Sequence, residues 1–187
     1  MRVLMLLAVV MYFVVLLNVD LAVATSKNIN DHVQFMGKQI SIGTSEADFN
    51  ILYPLYKPFE QKMPTGVKGY NGPENSSSAL FLRGKLACVV IKRDEESSEL
   101  IPEYQMQLIH GIHGFNKIKS TVTPDKDQPN YEEFRYDYVR GTLVATDSGI
   151  ATISRTLIET TAVCNKKNVY ELKKILPKNT REMMGIY

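Results

Sequence analysis

Residues 134–164 read FRYDYVRGTLVATDSGIATISRTLIETTAVC. β-Branched and aromatic residues dominate both ends, and Asp147-Ser148-Gly149 lies between them. Such residues fit a pleated, half-buried surface, and an Asp/Ser/Gly cluster between two such runs is a turn signal. The stretch therefore reads as a long β-hairpin. A three-residue loop at Asp147-Ser148-Gly149 puts Gly where a left-handed residue is wanted. It pairs Ala145 with Ala151, Leu143 with Ile153 and Val139 with Leu157, all apolar. A two-residue loop would instead oppose Leu143 to Ser154 and Tyr138 to Glu159.

The apolar positions are odd-numbered near that turn (Val139, Leu143, Ala145, Ile153, Leu157). Farther out they are even-numbered (Phe134, Tyr136, Tyr138, Ile158, Ala162). A strand keeps its parity unless a residue is inserted. A bulge or sharp bend is therefore expected near Tyr138-Val139 and Leu157-Ile158, with Gly141 close by. Such corners occur where a sheet coils toward a barrel.

Upstream, residues 79–93 (ALFLRGKLACVVIKR) read as one strand whose far end is apolar on both faces, as in a buried strand. Residues 101–112 (IPEYQMQLIHGI) alternate, with Tyr104, Met106, Leu108 and His110 on one face. These two runs are predicted to form a hairpin around the acidic connection DEESSE. Residues 115–122 continue the strand pattern, and 123–131 form a polar loop. Nearer the start, residues 33–42 (VQFMGKQISI) read as a first strand interrupted by Gly37. Ser45 with Asp48 three residues on is a helix start, and Phe49, Leu52 and Tyr53 follow at helical spacing. Pro54 and Pro58 limit that helix to about 45–53. Residues 64–78, with three Gly and two Pro, read as a loop. At the other end Val169, Leu172, Ile175 and Leu176 give one apolar face, and Pro177 stops the segment. A short helix over 168–176 is expected to pack on the sheet, and 180–184 to add a turn.

The first residues place the chain. Arg2 precedes an apolar run of 15 residues, Val3 to Leu17, and Ala22-Val23-Ala24 follows. This is the order of a secretory signal peptide, with cleavage expected after Ala24. An uncleaved anchor is disfavoured because spanning a bilayer takes roughly 20 apolar residues. The remaining residues, 25–187, suit a single domain with its own core. The formal net charge is +2, too weak a balance to point to nucleic acid. The pairs Lys166-Lys167 and Lys173-Lys174 read as a solvated face. In an oxidising compartment two cysteines, Cys88 and Cys164, favour a disulfide over two buried thiols. Asn75-Ser76-Ser77 is an N-glycosylation sequon inside a Gly/Pro/Ser-rich segment. The expected location is therefore extracellular, with no membrane contact after cleavage.

No motif for catalysis, nucleotide or metal is present. His110 and His113 (HGIHG) lie three apart, so on a strand they point to opposite faces, and a metal site needs more convergent ligands. His110 on an apolar face reads as a core histidine. The G-x-S-x-G nucleophile elbow and the Gly-rich phosphate loop are both missing. An enzyme is thus the least favoured class, and no cofactor is expected. The aromatic stripe Phe134, Tyr136 and Tyr138 remains, with Tyr104, Met106 and His110 as candidate neighbours. Its first reading is core. Tyrosine hydroxyls need partners, however, so the stripe also suits the wall of an amphipathic pocket.

A strand, a helix and then four or more antiparallel strands resembles the cystatin-like arrangement. The secreted, disulfide-closed β plan with a C-terminal helix is similar to that of lipocalins. The Gln-x-Val-x-Gly loop of the first and the Gly-x-Trp signature of the second are both missing, so no activity follows from either. The resulting expectation is a mainly β or α+β chain. Its sheet is antiparallel, strongly curved, barrel-like or half-barrel, and of five or more strands, with a short helix before it and another after it. The expected function is non-enzymatic binding of a small amphipathic or apolar ligand. The alternative is a protein-interaction module or inhibitor acting through loops such as 64–73 or 123–131.

Overall fold

The computed structural model describes residues 31–92, 114–124, 127, 130–152 and 156–186. Its largest unit is an antiparallel sheet of eight strands in the order β3-β4-β5-β6-β10-β9-β8-β7. These are β3 (Lys57–Pro58), β4 (Val67–Asn71), β5 (Ser77–Leu82), β6 (Lys85–Lys92), β7 (Asn116–Pro124), β8 (Tyr131–Arg140), β9 (Leu143–Thr152) and β10 (Thr156–Asn165). A two-stranded sheet of β1 (His32–Phe35) and β2 (Lys38–Ser41) precedes it, followed by helix α1 (Glu46–Leu52). Helices α2 (Lys166–Ile175) and α3 (Lys178–Met183) follow it. The mainly β expectation holds, with short helices before and after the sheet. Closure does not. Among the described residues the sheet is open, β3 and β7 ending its strand order. Pro58 leaves β3 without a donor at that position, which suits an edge.

The stretch 134–164 is three strands rather than two. The turn falls at Gly141-Thr142, between the paired residues Arg140 and Leu143, with Gly141 at φ +54°. Asp147-Ser148-Gly149 lies inside β9, whose residues pair with β8 on one side and β10 on the other. Thus Ala145 faces Val163 and Tyr138, Leu143 faces Asn165 and Arg140, and Val139 faces Val144. The three-residue loop is overturned because its polar residues have uses within the sheet. Asp147 is buried and accepts a hydrogen bond from Thr161 Oγ1 at 2.5 Å. A Cβ on Gly149 would lie 1.9 Å from the Leu157 carbonyl oxygen. That contact belongs to a bulge, since the β9–β10 register shifts between Ile158 and Thr160 and leaves Glu159 extra. The inserted residue thus sits beside the expected Leu157-Ile158 position. At Tyr138-Val139 the β8–β9 ladder is unbroken, and the matching shift is in β7, between Lys117 and Lys119.

Three other expectations are corrected. Residues 33–42 are a hairpin, turned by Met36 and Gly37 at φ +46° and +76°. Residues 79–93 are also not one strand, for Arg83 and Gly84 at φ +53° and +74° fold β5 back on β6. A two-residue turn with positive φ at both centres matches the twist of the flanking strands. Residues 64–78 contain β4 and the start of β5, joined through a short 3-10 turn at Pro73–Asn75. The predicted strand at 101–112 and the signal segment at 1–24 lie outside the described residues.

Each face of the sheet carries its own core. On one face Phe81, Leu86, Val89, Ile91, Tyr138, Leu143, Ala145 and Val163 pack with Val33, Phe35, Ile40 and Phe49 of the leading hairpin and α1. On the other, Leu80, Leu82, Cys88, Val90, Ala162 and Cys164 pack with Leu172, Leu176, Met184 and Ile186. Ser45 caps α1 by accepting from the Asp48 amide, as its sequence spacing implies. The second helix starts earlier than expected, with Asn165 as its cap, accepting from the Lys167 amide. The expected turn near 180–184 is α3. Cys88 and Cys164 face each other across β6 and β10 and form a disulfide, their Cα atoms 4.1 Å apart.

Candidate binding cleft

The helices cover only part of their face. Leu172 of α2 and Leu176, the residue that follows it, sit over the β5-β6-β10 side, with Val169 half-buried beside them. Where α2 gives way to β8 and β9 a cleft of about 190 Å³ opens. Its apolar lining is Val144 of β9, Ala162 and Cys164 of β10, Val169 of α2, Ile118 of β7 and Ile186 of the tail. Its polar lining is Arg135, Asp137 and Thr146 from the sheet and Lys166 and Lys173 from α2. Gly185, at φ +64°, lets the tail turn in close to Ala162 and Thr160.

The charges in this cleft are unequal. Asp137 is engaged by Arg135, whose guanidinium lies 2.9 Å from Oδ1, and by the Thr146 hydroxyl at 3.0 Å. Lys173 is half-buried, and no carboxylate among the described residues forms an ion pair with it. Burial first, then the charge of Arg135, hold its ammonium below the ordinary lysine value, with Asp137 acting in the opposite sense. Lys166 and Lys173 are seven residues apart, two helical turns, and so share a face of α2 with Val169. Lys174 instead stacks 4.1 Å from the exposed ring of Tyr170. The two lysine pairs are thus divided between cleft and solvent.

The aromatic stripe is only partly at this site. Phe134 and Tyr138 are buried, and Tyr136 packs partly buried against the same core as Tyr138. The Phe134 and Tyr136 rings lie 4.7 Å apart, and Lys117 Nζ stands 3.6 Å above the Tyr136 ring. The Tyr138 hydroxyl hydrogen-bonds Asp147; burial, with that carboxylate's charge, pushes its pKa up. Tyr138 also borders the cleft, whereas Phe134 borders a separate depression of about 350 Å³ with Thr121, Gly149 and Glu159. Tyr104, Met106 and His110 lie outside the described residues. Asn75 is exposed in its turn, on the rim of a groove of about 730 Å³ that Leu55, Phe59 and Met183 also line. Among the described residues no three His, Cys, Asp or Glu side chains converge as a metal site. Among them, too, no helix is long and apolar enough to cross a membrane.

Sequence reading took Lys166 and Lys173 for a solvated face, whereas both line the cleft, and it assigned no site role to Arg135 or Asp137. The one available signal was the spacing Lys166-Val169-Lys173 on a helix whose other apolar residues were already assigned to the core. Comparison with protein families, with curated proteins and with solved structures finds no match.

Proposed function

We propose that the protein is a secreted, non-enzymatic binding protein that holds a small amphipathic ligand in the cleft between α2 and the β8–β10 sheet. The observation that carries this reading is the cleft's lining, an apolar wall with charged groups beside it. Few polar groups on a mostly apolar concave surface are the usual composition of a small-molecule site. At about 190 Å³ the cleft is smaller than the roughly 300–1,000 Å³ of drug-sized sites, which limits its ligand to a short chain. The disulfide is compatible with an oxidising, extracellular setting. Filling the cleft tests the proposal. A short-chain amphiphile titrated into the mature protein should bind, and Val169→Phe should abolish binding while the far-ultraviolet circular dichroism is kept. Unchanged binding by that variant would remove the cleft from consideration.

A second reading, a protein-interaction module, has its own support in the groove beside Asn75. Leu55 and Met183 on its rim are 71% and 48% exposed. A glycan on Asn75 would stand on the same rim. Release of that glycan by an N-glycosidase should lower the apparent mass of protein secreted from eukaryotic cells. If partner capture rises after release, the groove is the better candidate.

A further inference from the structure

The ligand's chemistry can be taken further, on the basis of the cleft reading above. Depressions on the described surface can be compared by their charged linings. Beside Phe59 and Val67 the charged group is Lys68, already paired with Glu46 at 2.8 Å. The large groove beside Asn75 is balanced, with Lys57 and Lys92 against Glu60 and Glu74. The depression at Phe134 is acidic on balance, with Glu133 and Glu159 against Arg135. The cleft has Arg135, Lys166 and Lys173 against Asp137 alone. Asp137 is already occupied by Arg135 and Thr146. Two cations are left over, Lys166, which is exposed, and Lys173, which is half-buried beside the apolar wall. Arg181 adds positive charge within range of Lys173 from α3. Asp137 acts on Lys173 only through its charge and forms no ion-pair contact with it among the described residues. A half-buried ammonium so placed favours an incoming anion, because one charge-assisted contact then satisfies both groups.

We infer that the cleft selects a short-chain organic acid, with the carboxylate taken by Lys173 and the aliphatic tail laid along Val144, Ala162 and Val169. Lys166, more exposed on the same helix face, guides the anion inward without holding it. A primary amine of equal length is disfavoured, because it would bring another ammonium beside Lys173 and Arg135, and Asp137, the one acid of the lining among the described residues, already shares its charge with Arg135. An alcohol of equal length gains the apolar contacts but not the charged one.

Isothermal titration of the mature chain with hexanoate, 1-hexanol and hexylamine tests this, alongside Lys173→Met, Lys173→Arg and Val169→Phe. Hexanoate should bind the native protein at least about tenfold more tightly than 1-hexanol, as one charge-assisted contact implies. Lys173→Met should remove that advantage while leaving 1-hexanol unchanged, and Lys173→Arg should restore most of it. Equal binding of acid and alcohol, or a preference for the amine, would overturn the assignment of Lys173 yet leave a small-ligand cleft in place. Loss of acid preference in both Lys173 variants would overturn recognition by charge at this position. Failure of all three probes to bind the native protein would overturn the cleft reading and this inference together.

Discussion

Gly149 is the residue whose meaning changed most between sequence and structure. In the sequence it reads as the end of a turn; in the sheet it lets the Leu157 carbonyl and the Glu159 amide come close at a bulge. A methyl group there would meet backbone at 1.9 and 2.9 Å, and backbone cannot swing aside as a flexible side chain can. Gly149→Ala should therefore cost about 2–3 kcal/mol, in the range of strained core substitutions, measured as the change in urea-unfolding free energy. Tyr56 gives a second expectation, in pH. Burial pushes its hydroxyl from the ordinary value of 10 up to about 12, with the Ser77 hydrogen bond acting in the opposite sense. The folded state thus holds this proton more tightly than the unfolded one. Its contribution to stability is whole below about pH 10 and drains away as pH rises through about 12. Tyr53, Tyr70 and Tyr138 are also raised, so spectrophotometric titration should contain a late tyrosinate step that Tyr56→Phe makes smaller by one tyrosine; a step of unchanged size in that variant would contradict the assignment.

At the scale of the element, α1 is the clearest case of a short helix held by tertiary contacts. It has seven residues and buries one of them, Phe49. Isolated helices of that length are not stable in water. The Phe49 ring meets Tyr53 at 4.7 Å, Phe81 at 5.2 Å, Tyr56 at 5.3 Å and Tyr70 at 6.2 Å between centroids. Phe49→Ala should cost about 3–5 kcal/mol and expose the Tyr53 and Tyr56 rings, seen as lost near-ultraviolet dichroism. The cap of this helix was legible because Ser45 and Asp48 act within one turn. The strand read over 115–122 and the pairing of two cysteines were legible for similar reasons, each needing only local pattern or simple counting. The strand in fact spans Asn116–Pro124, and the next begins at Tyr131, so both ends of the loop read over 123–131 belong to strands. The hairpin turns at Met36-Gly37 and Arg83-Gly84 were not. Their first residue is a long side chain at positive φ, which composition does not announce. Asp147 misled the reading because its partner Thr161 is fourteen residues away. The cleft was illegible for the same reason at longer range: Arg135 and Lys173 meet only once β10 has turned into α2.

At the scale of the whole molecule, the strand order divides cleanly. Strands β3 to β6 follow one another in sequence and in space, and β7 to β10 do the same in reverse. The two meanders touch along one line, where β6 pairs with β10 from Thr160↔Lys92 to Cys164↔Cys88. The only covalent tie across that line, apart from the chain itself, is the disulfide between residues 76 apart. Loop-closure entropy assigns such a tie about 4–5 kcal/mol. The molecule is thus a zipper of two ribbons with a rivet at one end. A protease site inserted among residues 94–99 and cut should yield fragments that travel as one species without reductant and part only when reductant and denaturant act together. Separation by denaturant alone would mean the rivet is not closed. If the nicked and reduced halves still reassemble on mixing, the β6–β10 line serves as a natural split point for fragment complementation.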